Sequence, residues 1–152
     1  MALVVADAGP MIALAQIRRL NILQQLFGEI VLPEAVWSES QQKNAPDAEL
    51  IAEAVKEGWV KVTPVFQTRK FPLSLHDGEI EALQLACDND DVLLIVDDQL
   101  ARREAARLGL NFMGTVRVLG LAEQKGFISS AVECIKLMQQ NGYRVSVKFL
   151  ES

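Results

Sequence analysis

Histidine and cysteine are nearly missing from this chain, which has one histidine and two cysteines in 152 residues. Cys87 and Cys134 lie far apart with no Cys-x-x-Cys spacing, so a disulfide framework and an ordinary zinc site are both excluded. Two separated thiols fit a reduced, cytoplasmic protein. No uninterrupted apolar run approaches the roughly 20 residues of a membrane span. The N-terminus also lacks a basic region leading into a cleavable apolar stretch, so no signal peptide is expected. Positive charge is short as well: the formal net charge of -5 argues against a broadly basic nucleic-acid-binding surface. What is present is ordinary globular composition, 50% hydrophobic and 23% charged. No repeat, low-complexity tract or long linker divides it, and residues 1–152 suit one domain with a core of its own.

Two apolar runs stand out, and each ends in a carboxylate. Leu3-Val4-Val5-Ala6 leads straight into Asp7, and Gly9-Pro10 then opens an apolar segment. Val92-Leu93-Leu94-Ile95-Val96 leads into Asp97. Buried runs bounded by turn residues read as central strands of a parallel sheet. Open α/β sheets bind ligands at the carboxyl ends of such strands. An Asp after a strand also commonly caps the next helix, which is the competing reading of Asp7 and the plain reading of Asp98.

Between and around these strands the pattern alternates. Helices are predicted over Pro10–Leu20, Ile22–Phe27, Pro33–Ser40, Ala48–Glu57, Gly78–Asp88, Gln99–Leu108 and Thr115–Gln124, and from a Ser130 capping box to Asn141-Gly142. Short strands are predicted at Ile30–Leu32, Trp59–Val62 (an edge) and Asn111–Met113, with a loop over Thr63–Ser74. Tyr143–Val145 looks extended, and Ser146 could cap a last turn. Alternating short strands and helices predict a three-layer α/β/α sandwich around a mostly parallel sheet.

Two glutamates face the wrong way. On the Gly78–Asp88 helix, at 100° per residue, Glu81, Gln84 and Asp88 form a polar face, while Glu79 falls among Ala82, Leu83 and Ala86. An ionised carboxylate there costs several kcal/mol (order of magnitude) unless compensated. As a first-turn residue, Glu79 could otherwise serve the helix dipole. On the Pro33–Ser40 helix, Glu39 projects between Ala35 and Val36, whereas Glu34 points to solvent. Asp7, Glu39, Glu79 and Asp97 could therefore converge. Unit charges about 4 Å apart repel by roughly 4 kcal/mol at an effective dielectric of 20, so such a cluster needs protons or cations. An all-oxygen ligand set favours Mg²⁺ or Mn²⁺. The chemistry it suits is phosphodiester hydrolysis.

The residues then resemble a family. Asp7-Ala8-Gly9-Pro10-Met11-Ile12-Ala13-Leu14, Leu32-Pro33-Glu34-Ala35-Val36-Trp37-Ser38-Glu39, Leu75-His76-Asp77-Gly78-Glu79-Ile80-Glu81-Ala82, Asp97-Asp98-Gln99-Leu100-Ala101-Arg102 and Gly114-Thr115 occur in order from residue 1 to about 128. The set is similar to the PIN-domain nucleases, the fold of VapC-type toxins, and more closely to an uncharacterised PIN-like branch. The resemblance implies metal-binding acids at Asp7, Glu39, Glu79 and Asp97. It also implies divalent-metal-dependent hydrolysis of RNA leaving a 5′-phosphate, and often a homodimer. The chain departs from the pattern at Ile95, where family members commonly have Thr, and at Arg117, where the branch often has Gly.

Several further residues are candidates for weaker roles. Arg102, Arg103 and Arg107 form a basic patch on one helix, either a solvated face or a cationic rim for a phosphate backbone. Thr115 reads as a helix cap that could lie near the site. His76 reads as solvated surface, and Trp37 and Trp59 as core or interface rather than base-stacking platforms. The expectation is a metal-dependent ribonuclease acting on single-stranded RNA, as the toxin of a toxin–antitoxin pair with an antitoxin partner. One rival is a non-catalytic module whose acids bind metal, RNA or a partner's arginines. A phosphotransferase using Asp7 as nucleophile ranks low, because the position two residues on, where such enzymes carry an acid, is Gly9.

Overall fold

The structure is a computed structural model that describes residues 2–144. The readings made for 145–152 lie outside the described residues. Five strands, β1 (Leu3–Ala6), β2 (Ile30–Pro33), β3 (Val60–Thr63), β4 (Val92–Ile95) and β5 (Asn111–Met113), form one parallel sheet in the order β3-β2-β1-β4-β5. Eight helices are described: α1 (Ala8–Gln16), α2 (Asn21–Phe27), α3 (Glu34–Ser40), α4 (Pro46–Glu57), α5 (Asp77–Cys87), α6 (Gln99–Arg107), α7 (Thr115–Gln124) and α8 (Ala131–Gln140). The architecture is the expected three-layer sandwich, with β3 at an edge. The chain winds outward from β1 through β2 to β3, then returns to lay β4 on the other side of β1. That reversal makes the carboxyl ends of β1 and β4 the topological switch point, where open sheets leave a crevice.

Register fixes which side chains meet. Ala6 pairs with Ile95, and the Asp7 N–H donates to the Ile95 carbonyl at 2.9 Å. Val4, Ala6 and Ile95 join the core shared with Met11, Leu14, Leu119 and Ile135. Val5, Leu94 and Val96 join the core on the other face, with Ala82, Leu83, Ala101 and Ala105. The two central strands β1 and β4 are apolar on both faces because helices cover both.

Two expectations needed correction. The first helix stops at Gln16 rather than Leu20, because Arg18 takes a left-handed φ of 58°. With no glycine there, the sequence carried no stop signal. The polar face of α5 is solvated only in part: Asp88 is exposed, but the other two residues are engaged by neighbouring segments. Gln84 is fully buried, its side-chain oxygen accepting the Thr68 and Arg69 N–H groups at 3.0 Å each. Glu81 accepts the Ala35 N–H at 3.0 Å. Both pin neighbouring segments to α5, a use of polar side chains that helical periodicity cannot distinguish from hydration. Other boundaries match closely, including Gly58 as the left-handed cap of α4 and Ser130 accepting the Glu133 N–H at 3.1 Å.

Candidate active site

Asp7 follows β1 directly and is 7% exposed. It stands at the N-cap position of α1 but makes no side-chain capping bond, so the capping reading does not account for it. By alternation it leaves the sheet on the Val5 face, toward α5. Burial above all, then the charges of Glu79 and Glu39, push its carboxyl up to about 7, against the opposing pull of the Ala8 N–H and His76. A carboxylate held this way binds a proton or a cation near neutral pH.

Glu79, third residue of α5, is 2% exposed, as its apolar facing predicted. Its Oε1 accepts the His76 N–H at 3.1 Å, and the His76 ring lies 3.4 Å away. Burial first, then the charge of Asp98, raises its pKa. Asp98 caps α6 as expected, Oδ2 accepting the Ala101 N–H at 3.0 Å. Its carboxyl also reaches hydrogen-bonding distance of Glu79, a contact that requires a proton or cation between two acids. Glu39, half-exposed near the end of α3, comes within 3.9 Å of the His76 ring. The Glu81 bond to Ala35 fastens α3 to α5 and so sets where Glu39 lands. Glu34 is exposed, as expected.

Gly78 defines the space between these acids. A Cβ added there would stand 3.6 Å from Asp7 Oδ1 and 3.8 Å from Glu39 Oε1. A side chain would intrude where the carboxylates point, and its absence leaves an oxygen-lined cradle. Among the described residues, the ion pairs made by Asp7, Glu39 and Glu79 are those with His76 alone. Hard oxygen donors in negative excess fit a divalent cation chemically. Among the described residues, however, no three acid, histidine or thiol side chains are close enough together to grip an ion as they stand.

Asp97 behaves differently. It stands past the end of β4, two residues after Ile95, and turns toward the start of α7. Asp97 Oδ1 accepts the Thr115 N–H at 2.7 Å, and Oδ2 accepts the Thr115 hydroxyl at 2.5 Å and the Tyr143 hydroxyl. Thr115 is fully buried as the first residue of α7, so Asp97 caps that helix from a distance. Gly114 is required here: a Cβ would fall 2.7 Å from Asp97 Oδ1 and 3.3 Å from Arg102 Nη1. Burial, then the Asp97 charge, raises the Tyr143 pKa.

Of the basic candidates, Arg102 stands beside Asp97 with its guanidinium 5.3 Å from the Phe112 ring centre. Arg103 is exposed on the same helix, and Arg107 is engaged by Glu104 at 2.5 Å. Sequence reasoning missed Tyr143, Gly78 and Gly114 as parts of the site. Tyr143 carried only one mark, being the single tyrosine.

Comparison with known proteins bears on family and fold. The family model DUF3368, described as a PIN domain, matches residues 3–152. A search of curated proteins gives no match. Among solved structures, a PilT N-terminus domain protein, SSO1118, from the hyperthermophilic archaeon Sulfolobus solfataricus P2 superposes with a TM-score of 0.58 at 18% identity, covering 79% of this chain and 92% of that one. At that identity the likeness shows the shared fold. A parallel sheet with acids at its switch point, and a family match over nearly its whole length, establish that this chain belongs to the PIN-domain family.

Proposed function

We propose that the chain is a divalent-metal-dependent ribonuclease that hydrolyses phosphodiester bonds of single-stranded RNA. PIN domains are generally nucleases, and the observation that carries the finer reading is the acid cradle around Gly78. Asp7 and Glu39 point into it and Glu79 is buried beside it, with His76 as their one ion-pair partner among the described residues. Asp7, Glu39 and Glu79 would hold Mg²⁺ or Mn²⁺, with Asp97 as the fourth acid of the set. When bound, such an ion supplies charge neutralisation and Lewis-acid chemistry for phosphodiester hydrolysis.

The chain's own residues do the rest. Asp7, whose metal-free carboxyl sits near 7, would give up its proton when a cation binds, so metal binding releases protons near neutral pH. Arg102, steadied against Phe112, offers a cation to substrate phosphate beside the acids, and Arg103 extends that rim. Thr115 acts indirectly, by orienting Asp97. The biological setting we infer is cytoplasmic, as a homodimeric toxin neutralised by an antitoxin protein. A short reading frame encoding a DNA-binding-type protein beside this gene would support that setting.

The test is cleavage of a fluorogenic single-stranded RNA with Mn²⁺, with Mg²⁺ and in chelator. Cleavage should need the metal and disappear in Asp7→Asn. Equal cleavage in chelator would refute the metal reading. A second reading, a non-catalytic metal- or RNA-binding module, draws on the saturation of Asp97 by protein donors. It would gain if the protein binds Mn²⁺ yet leaves RNA intact.

A further inference from the structure

A carboxylate offers about four acceptor positions. Asp97 Oδ2 already takes two hydroxyls, from Thr115 and Tyr143, and Oδ1 takes the Thr115 N–H. An ion that takes Oδ2 must therefore displace one of its two hydroxyls. Thr115 cannot easily leave, since it is fully buried and opens α7. Tyr143 can. It follows α8 and the left-handed Gly142, and among the described residues its backbone is tied by one bond, from its N–H to the Met138 carbonyl at 3.0 Å.

The ring of Tyr143 also lies in the crevice itself. Its hydroxyl is 3.0 Å from where a Cβ of Gly9 would sit, in the first turn of the helix that Asp7 precedes. The lack of a side chain at Gly9 is what admits the phenol between the starts of α1 and α7. One side chain thus bridges the two strand ends of the switch point.

Building on the metal site proposed above, we propose that Tyr143 is a latch. Its hydroxyl holds Asp97 turned toward Thr115, and divalent-cation binding at the acids displaces it. A latched fraction lowers apparent metal affinity in proportion to the open population. Removing a hydrogen bond to an ionised group should tighten binding by about three- to tenfold.

The experiment uses the full chain. Calorimetric titration with Mg²⁺ and Mn²⁺ compares wild type, Tyr143→Phe and Asp7→Asn. Because the chain has one tyrosine, incorporated 3-fluorotyrosine gives a single ¹⁹F resonance that reports position 143 directly. The latch predicts tighter binding in Tyr143→Phe, and a ¹⁹F shift that saturates with Mg²⁺ at the calorimetric Kd. Unchanged or weaker binding in Tyr143→Phe, or a resonance that stays put while Mg²⁺ saturates, overturns it. If wild type binds and Asp7→Asn does not, the metal reading stands whatever becomes of the latch. If neither wild type nor Tyr143→Phe binds either ion, both fall together.

Discussion

Asp7 and Asp97 end adjacent strands of one sheet, follow similar apolar runs, and differ in nearly everything else. Asp7 is buried among other acids, makes no capping bond, and has its pKa driven up to about 7. Asp97 accepts from three donors, supplied by Thr115 and Tyr143. The difference teaches that a strand-end carboxylate is defined by what the neighbouring helices bring to it. The Asp7 face carries other carboxylates and calls for a counter-ion; around Asp97 stand hydroxyl and amide donors.

The largest effect should come from the charged face. Asp7→Asn and Glu79→Gln should each lower metal-dependent RNA cleavage by more than the roughly 10–100-fold that loss of an outer-shell partner costs. Metal-free stability should hold or rise, since repulsion is relieved. A denaturant titration showing either metal-free variant several kcal/mol less stable would make that acid structural instead.

The same face should carry a pH signature. The folded pKa of Asp7, about 7, lies above the ordinary value of 3.8 that it has in the unfolded chain. Between these the folded state keeps a proton that the unfolded state has released. Metal-free stability should therefore be highest near pH 4, fall as pH rises toward 7, and level off above, by roughly 4 kcal/mol in all. Urea midpoints across that range should show a slope that Asp7→Asn flattens. An identical slope in the variant would assign it to other groups.

Two glycines sharpen the contrast. Gly114→Ala drives a Cβ to 2.7 Å from Asp97 Oδ1 and should cost about 1–3 kcal/mol. Gly78→Ala meets Val36, Asp7 and Glu39 at 3.4 to 3.8 Å, so stability should change by less than about 1 kcal/mol. Its damage should appear in calorimetric Mn²⁺ affinity. If Gly78→Ala binds Mn²⁺ as wild type does, the cradle is misplaced. The smallest effect belongs to Asp98→Ala, which loses the α6 cap at about 1 kcal/mol while relieving Glu79. Its thermal midpoint should move only slightly and RNA cleavage should largely persist.

The wrong-facing position of Glu79 was legible because helical period and apolar neighbours are local properties. The burial of Gln84 and the bond from Glu81 to α3 were not, because their partners lie on other segments. The engagement of Asp97 by Thr115 and Tyr143 was equally illegible, because those donors come from the start of α7 and from beyond α8.

By itself, the sequence determined the alternation of buried runs and helices, the parallel sheet they imply, and the acids available at its carboxyl end. Hydrophobic patterning, turn residues and carboxylate chemistry act over short stretches of chain, and they leave their marks there. Only the tertiary structure decided that Asp7, Glu39 and Glu79 share a cradle floored by Gly78, and that Asp97 is turned to Thr115 and Tyr143. Those relations join residues as far apart in sequence as Asp7 and Glu79, through strand register, helix docking and close backbone approach. Such distances are set when the layers pack, not along the chain.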